Sequence, residues 1–296
     1  MAYLDDSEED SYPNKFNLVH NPILKERNKL IKNGGVIDFC MPLHVDVFQA
    51  SKLIPPNVDL KFCLTRNNTK FGIITAAPSN WNVKLLSCKL QLRKILAKEK
   101  FRRDFEASII KSPATFSYPV TKIITRLLPS GATSTVLQSI CQGRRPRGII
   151  IGLLRTEALS GFSQHNPFFF YHFNCDFFQL RIDGVPCPSV PFMPDFTNKK
   201  VTREYRSVID NCGIGQDNIS TGYRKKDFLN GKTLFCVDLT PDKCNGFHLH
   251  ESKFSNIDLE IHFSQALTES VQVVVFSTYN GGFILDDKNQ VTILDI

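Results

Sequence analysis

Cys236, Cys244, His248 and His250 fall within fifteen residues in a C-x7-C-x3-H-x-H order. Thiolate and imidazole are donors that zinc takes, four of them in a tetrahedron. A zinc-dependent enzyme would rest on Cys236, His248 and His250. Yet seven residues between the cysteines is not a knuckle spacing, and Cys236 lies in a strand-like alternation, where a small apolar side chain is the plain reading. These four are therefore assigned to core and loop. His165, His172 and Cys175 form a sparser donor set and are assigned the same way. Ser108-Ile109-Ile110-Lys111 has the S-x-x-K form of some serine enzymes, but it closes a basic helical stretch without the partner motifs such enzymes carry. G-x-S-x-G and His-Glu-x-x-His are absent, and Gly213-Ile214-Gly215 follows a helix pattern rather than a strand. No catalytic, cofactor-binding or metal residue is assigned, no cofactor or small-molecule substrate is expected, and the chain is not expected to be an enzyme.

Two other groupings could act through surface chemistry. Basic residues cluster at Lys89 to Lys111, at Arg144/Arg145/Arg147, at Lys199/Lys200/Arg203/Arg206 and at Arg224/Lys225/Lys226. A solvated face explains them; the functional alternative is weak, sequence-independent contact with double-stranded DNA, where cations displace counterions from phosphates. Seven aromatics lie in Phe168–Phe178. They read first as core, with a share available to line a subunit interface.

The elements that must carry these residues are mostly strands. Leu43, Val45 and Val47 alternate with His44 and Asp46. Val58, Leu60, Phe62 and Leu64 alternate with Asp59, Lys61 and Cys63, and Leu86, Cys88, Leu90 and Leu92 with Ser87, Lys89 and Gln91. Each predicts a half-buried antiparallel strand. Ala97, Phe101, Phe105 and Ile109 then recur every fourth residue, predicting an amphipathic helix that Ser112-Pro113 stops. Strands are predicted near 118–128, at Gly148–Leu154 (buried on both faces), at Phe178–Ile182 before an Asp183-Gly184 hairpin turn, and at 233–239, 257–263, 271–279 and 291–296. Residues 129–147 read as a turn-rich connection with one short helix, and Val201, Tyr205, Val208 and Ile209 mark another helix ending near Gly213. The pattern predicts an all-β fold, a jelly-roll β-sandwich with two or three short helices.

Composition agrees. The chain has 296 residues, is 42% hydrophobic and 22% charged, and holds 24 Phe against 3 Met and 1 Trp. A chain of this size buries roughly 75% of the surface it exposes when unfolded. No apolar run approaches the ~18 residues of a membrane span. The start, MAYLDDSEED, lacks the apolar core of a secretory signal, and nine Cys without a Cys-x-x-Cys pair suggest reduced thiols. A cytoplasmic or nuclear setting, not secretion, is expected. The net charge of +7 permits acidic partners without requiring them.

Several ordered stretches carry a family resemblance. They are IDFCMPLHVDVFQASKLIPPNVDLKFCLTR (37–66), SCKLQLRKI to YPVTKI (87–123), RRPRGIIIGLL (144–154), NPFFFYHFNCDFFQLRIDGVPCPSVPFMPDF (166–196), YRSVI (205–209), NGKTLFCVDLTPD (230–242) and IDLEIHFSQALTESVQVVVFSTYNGGFILDDKNQV (257–291). Together they resemble the double jelly-roll major capsid proteins of Maverick/Polinton elements and the related adintoviruses. The resemblance implies a structural protein of a virion, whose trimers with a six-fold outline tile an icosahedral shell around double-stranded DNA. It implies self-association, other capsid proteins as partners, and a capsid location.

It also implies a division of the chain. Residues 1–35 are an acidic and polar tail, mostly disordered; 36–96 are the closing strands of a first jelly roll; 97–116 are a connecting helix; and 117–296 are the second jelly roll. Only the 35 tail-like residues precede the match, so the chain looks like a capsid protein lacking most of its first jelly roll. What the resemblance then implies is a degraded or host-retained copy, or an incomplete gene model. A host-retained, capsid-derived binding module, acting on nucleic acid or on other capsid proteins, is the alternative function.

Overall fold

A computed structural model describes residues 29–31, 34–50, 52–55, 58–67, 71–72, 82–161, 165–212, 222–241 and 253–294. Among them lie nine strands: β1 (Ala114–Leu128), β2 (Ser134–Arg144), β3 (Gly148–Arg155), β4 (Cys175–Ile182), β5 (Val185–Phe192), β6 (Leu234–Asp238), β7 (Phe254–Phe263), β8 (Val271–Leu285) and β9 (Val291–Leu294). One sheet runs β1-β8-β3-β6, with β9 also on β8; the other runs β2-β7-β4-β5. All ladders are antiparallel. From β1 to β8 every connection except the β4–β5 hairpin switches sheets, which is the winding of an eight-stranded jelly roll. The fold class expected from the alternation is the one found.

Why these residues form these strands follows from period two. On β7, Ile257, Leu259 and Ile261 face inward and are fully buried, while Asp258, Glu260 and His262 face out. On β8, Val271, Val273 and Val275 do the same. They meet Ile149, Ile151 and Leu153 of β3 and Phe178 and Leu180 of β4 in one continuous core. Each such burial contributes about 1.5–3 kcal/mol against the entropy of ordering the chain. The Phe excess finds its use here: Phe178 stacks on Phe235 with ring centroids 4.3 Å apart. Asp183 and Gly184 both take positive φ (50° and 82°), as the predicted two-residue turn requires.

The β1–β8 ribbon outruns β3, whose ladder with β8 ends at Gly148 opposite Thr278. Past that point a second, smaller core forms from Ile109, Phe116, Phe283 and Leu285, with Val47, Val58 and Phe105 packed against it. Helix α1 (Glu99–Lys111) enters this core with its last two turns, and Ser112 then turns extended (φ −156°, ψ 130°) before Pro113. Phe101, on the same stripe, stays exposed.

Three short helices complete the frame: α2 (Thr156–Leu159), α3 (Thr202–Asn211) and α4 (Lys225–Leu229). Helix α3 matches the pattern at 201–209; α2 and α4 are too short to show a period. The terminating Gly213 lies outside the described residues.

Two expectations are corrected. Residues 129–147 are not a turn-rich connection with a helix; they contain strand β2. A bulge places Leu137 opposite Leu259 but Cys141 opposite Ile257, so two extra residues interrupt the alternation. Ser139 takes φ 51° there and donates its backbone N–H to Asp258 Oδ1 at 2.8 Å. The strands expected at 43–47, 58–64 and 86–92 are also absent. Among the described residues from 34 to 98, the regular structure is 3-10: the turn Asp46–Gln49, and Phe71. The alternation is present, but among the described residues no neighbouring strand pairs with it. No helix among the described residues is long and apolar enough to cross a membrane.

Candidate assembly surface

The donor groups singled out by type do not converge. Cys236 is buried in β6, as a core cysteine would be, and its Sγ lies 3.5 Å from Cys212 Sγ. Cys244, His248 and His250 lie outside the described residues. His172 is buried, stacks on Phe196 at 4.1 Å and accepts the Asn174 N–H at Nδ1 (2.9 Å). Burial pushes it down to about 4, so it is a neutral core imidazole near neutral pH. Burial, then the Arg155 guanidinium, also lowers His165, whose Nδ1 sits 3.6 Å from Glu157. Cys175 is fully buried, which raises its thiol, and its S–H donates to the Phe177 carbonyl. Among the described residues no three His, Cys, Asp or Glu side chains are grouped to hold a metal. Ser108 and Lys111 are exposed at the end of α1.

The basic clusters divide. Arg203 donates to the carbonyls of Val190 and Pro191 and lies 4.9 Å over the Phe192 ring. Arg206 pairs with Asp210, Arg224 with Asp227, and Lys225 donates to Thr202. Arg145 reaches Asp183 at 3.7 Å. Arg203, Lys225 and Arg145 thereby tie separate elements together, while the Arg206 and Arg224 pairs stay within their own helices. From Lys89 to Lys100 the side chains are all exposed, and beyond them Arg102 and Arg103 share Glu99. Exposed basic side chains are thus densest, among the described residues, in the segment before α1, with Lys199, Lys200 and Lys226 exposed on the sandwich as well.

The aromatic run divides too. Phe178 is core, and Phe173 packs against it. A Cβ on Gly152 would sit 2.4 Å from the Phe170 ring, and one on Gly231 2.2 Å from Phe169. Those two glycines therefore make room for the two rings on the sandwich. Phe168 remains exposed.

The sheet edges show which surfaces are closed. Edge strand β6 is covered by α3, and Asn211 Nδ2 donates to the Cys236 carbonyl at 2.7 Å. Edge strand β5 carries Pro186, Pro188 and Pro191, which cannot donate to another strand. Edge strand β1 is closed over only half its length. Pro119 has no N–H to offer, Thr121 gives its N–H to Asp46 Oδ2 (3.0 Å), and Lys52 caps the Thr115 carbonyl (2.8 Å). The next outward N–H groups, of Ile123, Thr125 and Leu127, find no acceptor among the described residues. Ile123 is 66% and Leu127 55% exposed. This open edge and the uncovered Leu85, Leu86, Leu90, Leu92, Ile95 and Leu96 of the preceding segment are apolar surface of the kind that partners cover. The Asp46 cap had no signature in the sequence, because its partner is 75 residues away.

No protein-family model matches the chain. It is 22% identical over 192 residues to an uncharacterized protein of Caenorhabditis elegans, a match covering 62% of this chain and 45% of that protein's length. Among solved structures it is similar to PBCV-1 VP54 as fitted into a cryo-EM reconstruction of the virophage Sputnik (TM-score 0.41, 5% identity, 67% of this chain and 55% of that one). It is also similar to a chain of the Sputnik virophage itself (0.38, 12%, 62% and 40%) and to the mavirus major capsid protein (0.31, 8%, 61% and 41%). The chain thus spans about half the length of the proteins it matches. The strand order, rather than these superpositions, carries the fold assignment.

Proposed function

We propose that this chain is a structural capsid protein, a subunit that builds a shell with copies of itself or with other capsid proteins, of the Maverick/Polinton and adintovirus kind. The carrying observation is that one chain joins a complete eight-stranded jelly roll to an apolar, strand-patterned segment that has no pairing strand among the described residues. In this reading residues 36–96 supply closing strands of a first jelly roll that form only when a partner offers a pairing edge, 97–116 are the connector and 117–296 the second jelly roll. The exposed leucines of 85–96 then find their cover in assembly, and a trimer, with closed cyclic symmetry, would bury the same patch on every subunit. The sequence resemblance at 37–66 and 87–123 supports this division.

Sedimentation and light scattering of the full chain test it. Concentration-dependent assembly to a discrete oligomer or shell is expected; a folded monomer persisting at high concentration would contradict it. A second reading, a capsid-derived module that contacts nucleic acid, is favoured by the exposed Lys89, Arg93, Lys94, Lys98 and Lys100. It predicts weak DNA binding without sequence preference that falls steeply with salt. Binding unchanged between low and high salt, or selective for one sequence, would rule it out.

A further inference from the structure

We propose that Cys212 and Cys236 are a redox-sensitive pair that closes to a disulfide and fastens helix α3 over the edge of β6. Cys236 sits mid-strand in β6, opposite Ile150, and has no exposed surface. Cys212 is the residue that ends α3; its N–H still bonds the Val208 carbonyl, and its side chain is half-buried. The two sulfurs are 3.5 Å apart, in S–H···S contact, although 24 positions separate them in sequence. The adjoining Asn211 holds the Cys236 carbonyl, so two neighbouring residues pin the helix end to the same point of the strand. Closure therefore asks for a small approach of two groups already aimed at each other, not for a rearrangement of the sandwich.

The two thiols have different chemistry. The sulfur–sulfur contact with Cys236 pulls Cys212 below the ordinary thiol range, while that same contact, and then burial, pushes Cys236 well up. The thiolate is the nucleophile, so the half-buried Cys212 attacks first. With a low-molecular-weight disulfide such as oxidised glutathione as oxidant, Cys212 sulfur bonds one glutathione sulfur and the other leaves as glutathione thiolate, which takes the Cys212 proton. Cys236 sulfur then attacks Cys212 sulfur in the mixed disulfide. The second glutathione leaves and takes the Cys236 proton. Two protein thiols are oxidised, one glutathione disulfide is reduced, and two glutathione thiols are released. The bond closes a loop that holds α4 and the start of β6, so it constrains the unfolded chain as well as the covered edge.

The test treats the full chain with oxidised glutathione, blocks the remaining thiols, and maps tryptic peptides without reduction. The expected result is a linked pair of peptides, 207–224 with 233–243, lost on reduction and absent from the Cys212→Ser variant. The melting temperature of the oxidised wild-type chain rises by about 5–10 °C and returns on reduction, and the variant shows no such rise. Cys212 halted as the glutathione mixed disulfide, linked to a different cysteine, or still free alongside Cys236 would overturn the proposal. So would one zinc per purified chain that shields both thiols and is lost in the Cys212→Ser variant.

Discussion

Strand β7 and the segment 86–92 carry the same alternation of apolar and polar residues, and they end in different states. In β7, Ile257, Leu259 and Ile261 are fully buried between β2 and β4 and under the opposite sheet. In the segment, Leu86, Leu90 and Leu92 are 66%, 49% and 50% exposed, with no ladder. Period two therefore states which face of a strand would be apolar; whether the strand forms depends on a neighbour offering its backbone. Within the sandwich the chain supplies that neighbour. Before α1 the described part of the chain does not, and the proposed function places it on another subunit.

The sharpest break between the two regions comes from truncation. Phe178→Ala removes a fully buried ring from the stack on Phe235 and is expected to cost about 3–5 kcal/mol of stability, whereas Leu90→Ala in the monomer stays within about 0.5 kcal/mol. Denaturant unfolding measures both. The same Leu90→Ala change weakens assembly, seen as a rise in the concentration at which oligomers appear. Equal stability costs at the two positions would erase the distinction.

Acid comes next in size. His172 keeps its neutral form in the fold down to about 4 and titrates near 6.5 when unfolded. The unfolded chain therefore binds a proton first. The His172 contribution is fully present above pH 6.5, is lost as pH falls toward 4, and changes no further below that. The span corresponds to about 3 kcal/mol. His172→Gln, which retains an acceptor for the Asn174 N–H, should flatten stability between pH 6.5 and 4; an unchanged acid limb would count against a buried neutral imidazole.

Gly152→Ala places a methyl group 2.4 Å from the Phe170 ring in a packed layer and should cost about 1–3 kcal/mol, read as a lowered melting temperature. Asp46→Ala has the smallest effect on the sandwich, about 1 kcal/mol, because it removes the bonds to Thr121 at an edge that water can reach. It should release residues 43–50 to proteolysis while leaving β7 and β8 protected.

How far the sequence foretold this depends on who supplies the partner. β3, β4, β7 and β8 were legible because their apolar faces are filled from within the same domain. β2 was not, since its bulge at Ser139 adds two residues and breaks the count. The strands expected between 43 and 92 had a clear period, but a period carries no information about a pairing edge. Among the candidate site residues, His172 was legible as core or loop from its spacing, whereas the Cys212–Cys236 contact and the Asp46 cap join distant positions that no local spacing reveals.

Amide hydrogen exchange on the full chain, first as dilute monomer and then after assembly, tests the central claim most directly. The account predicts slow exchange through β3, β4, β7 and β8 in both states, fast exchange over 82–96 in the monomer, and protection of 82–96 that appears on assembly. Strong protection of 82–96 already in the dilute monomer, or none after assembly, would contradict it.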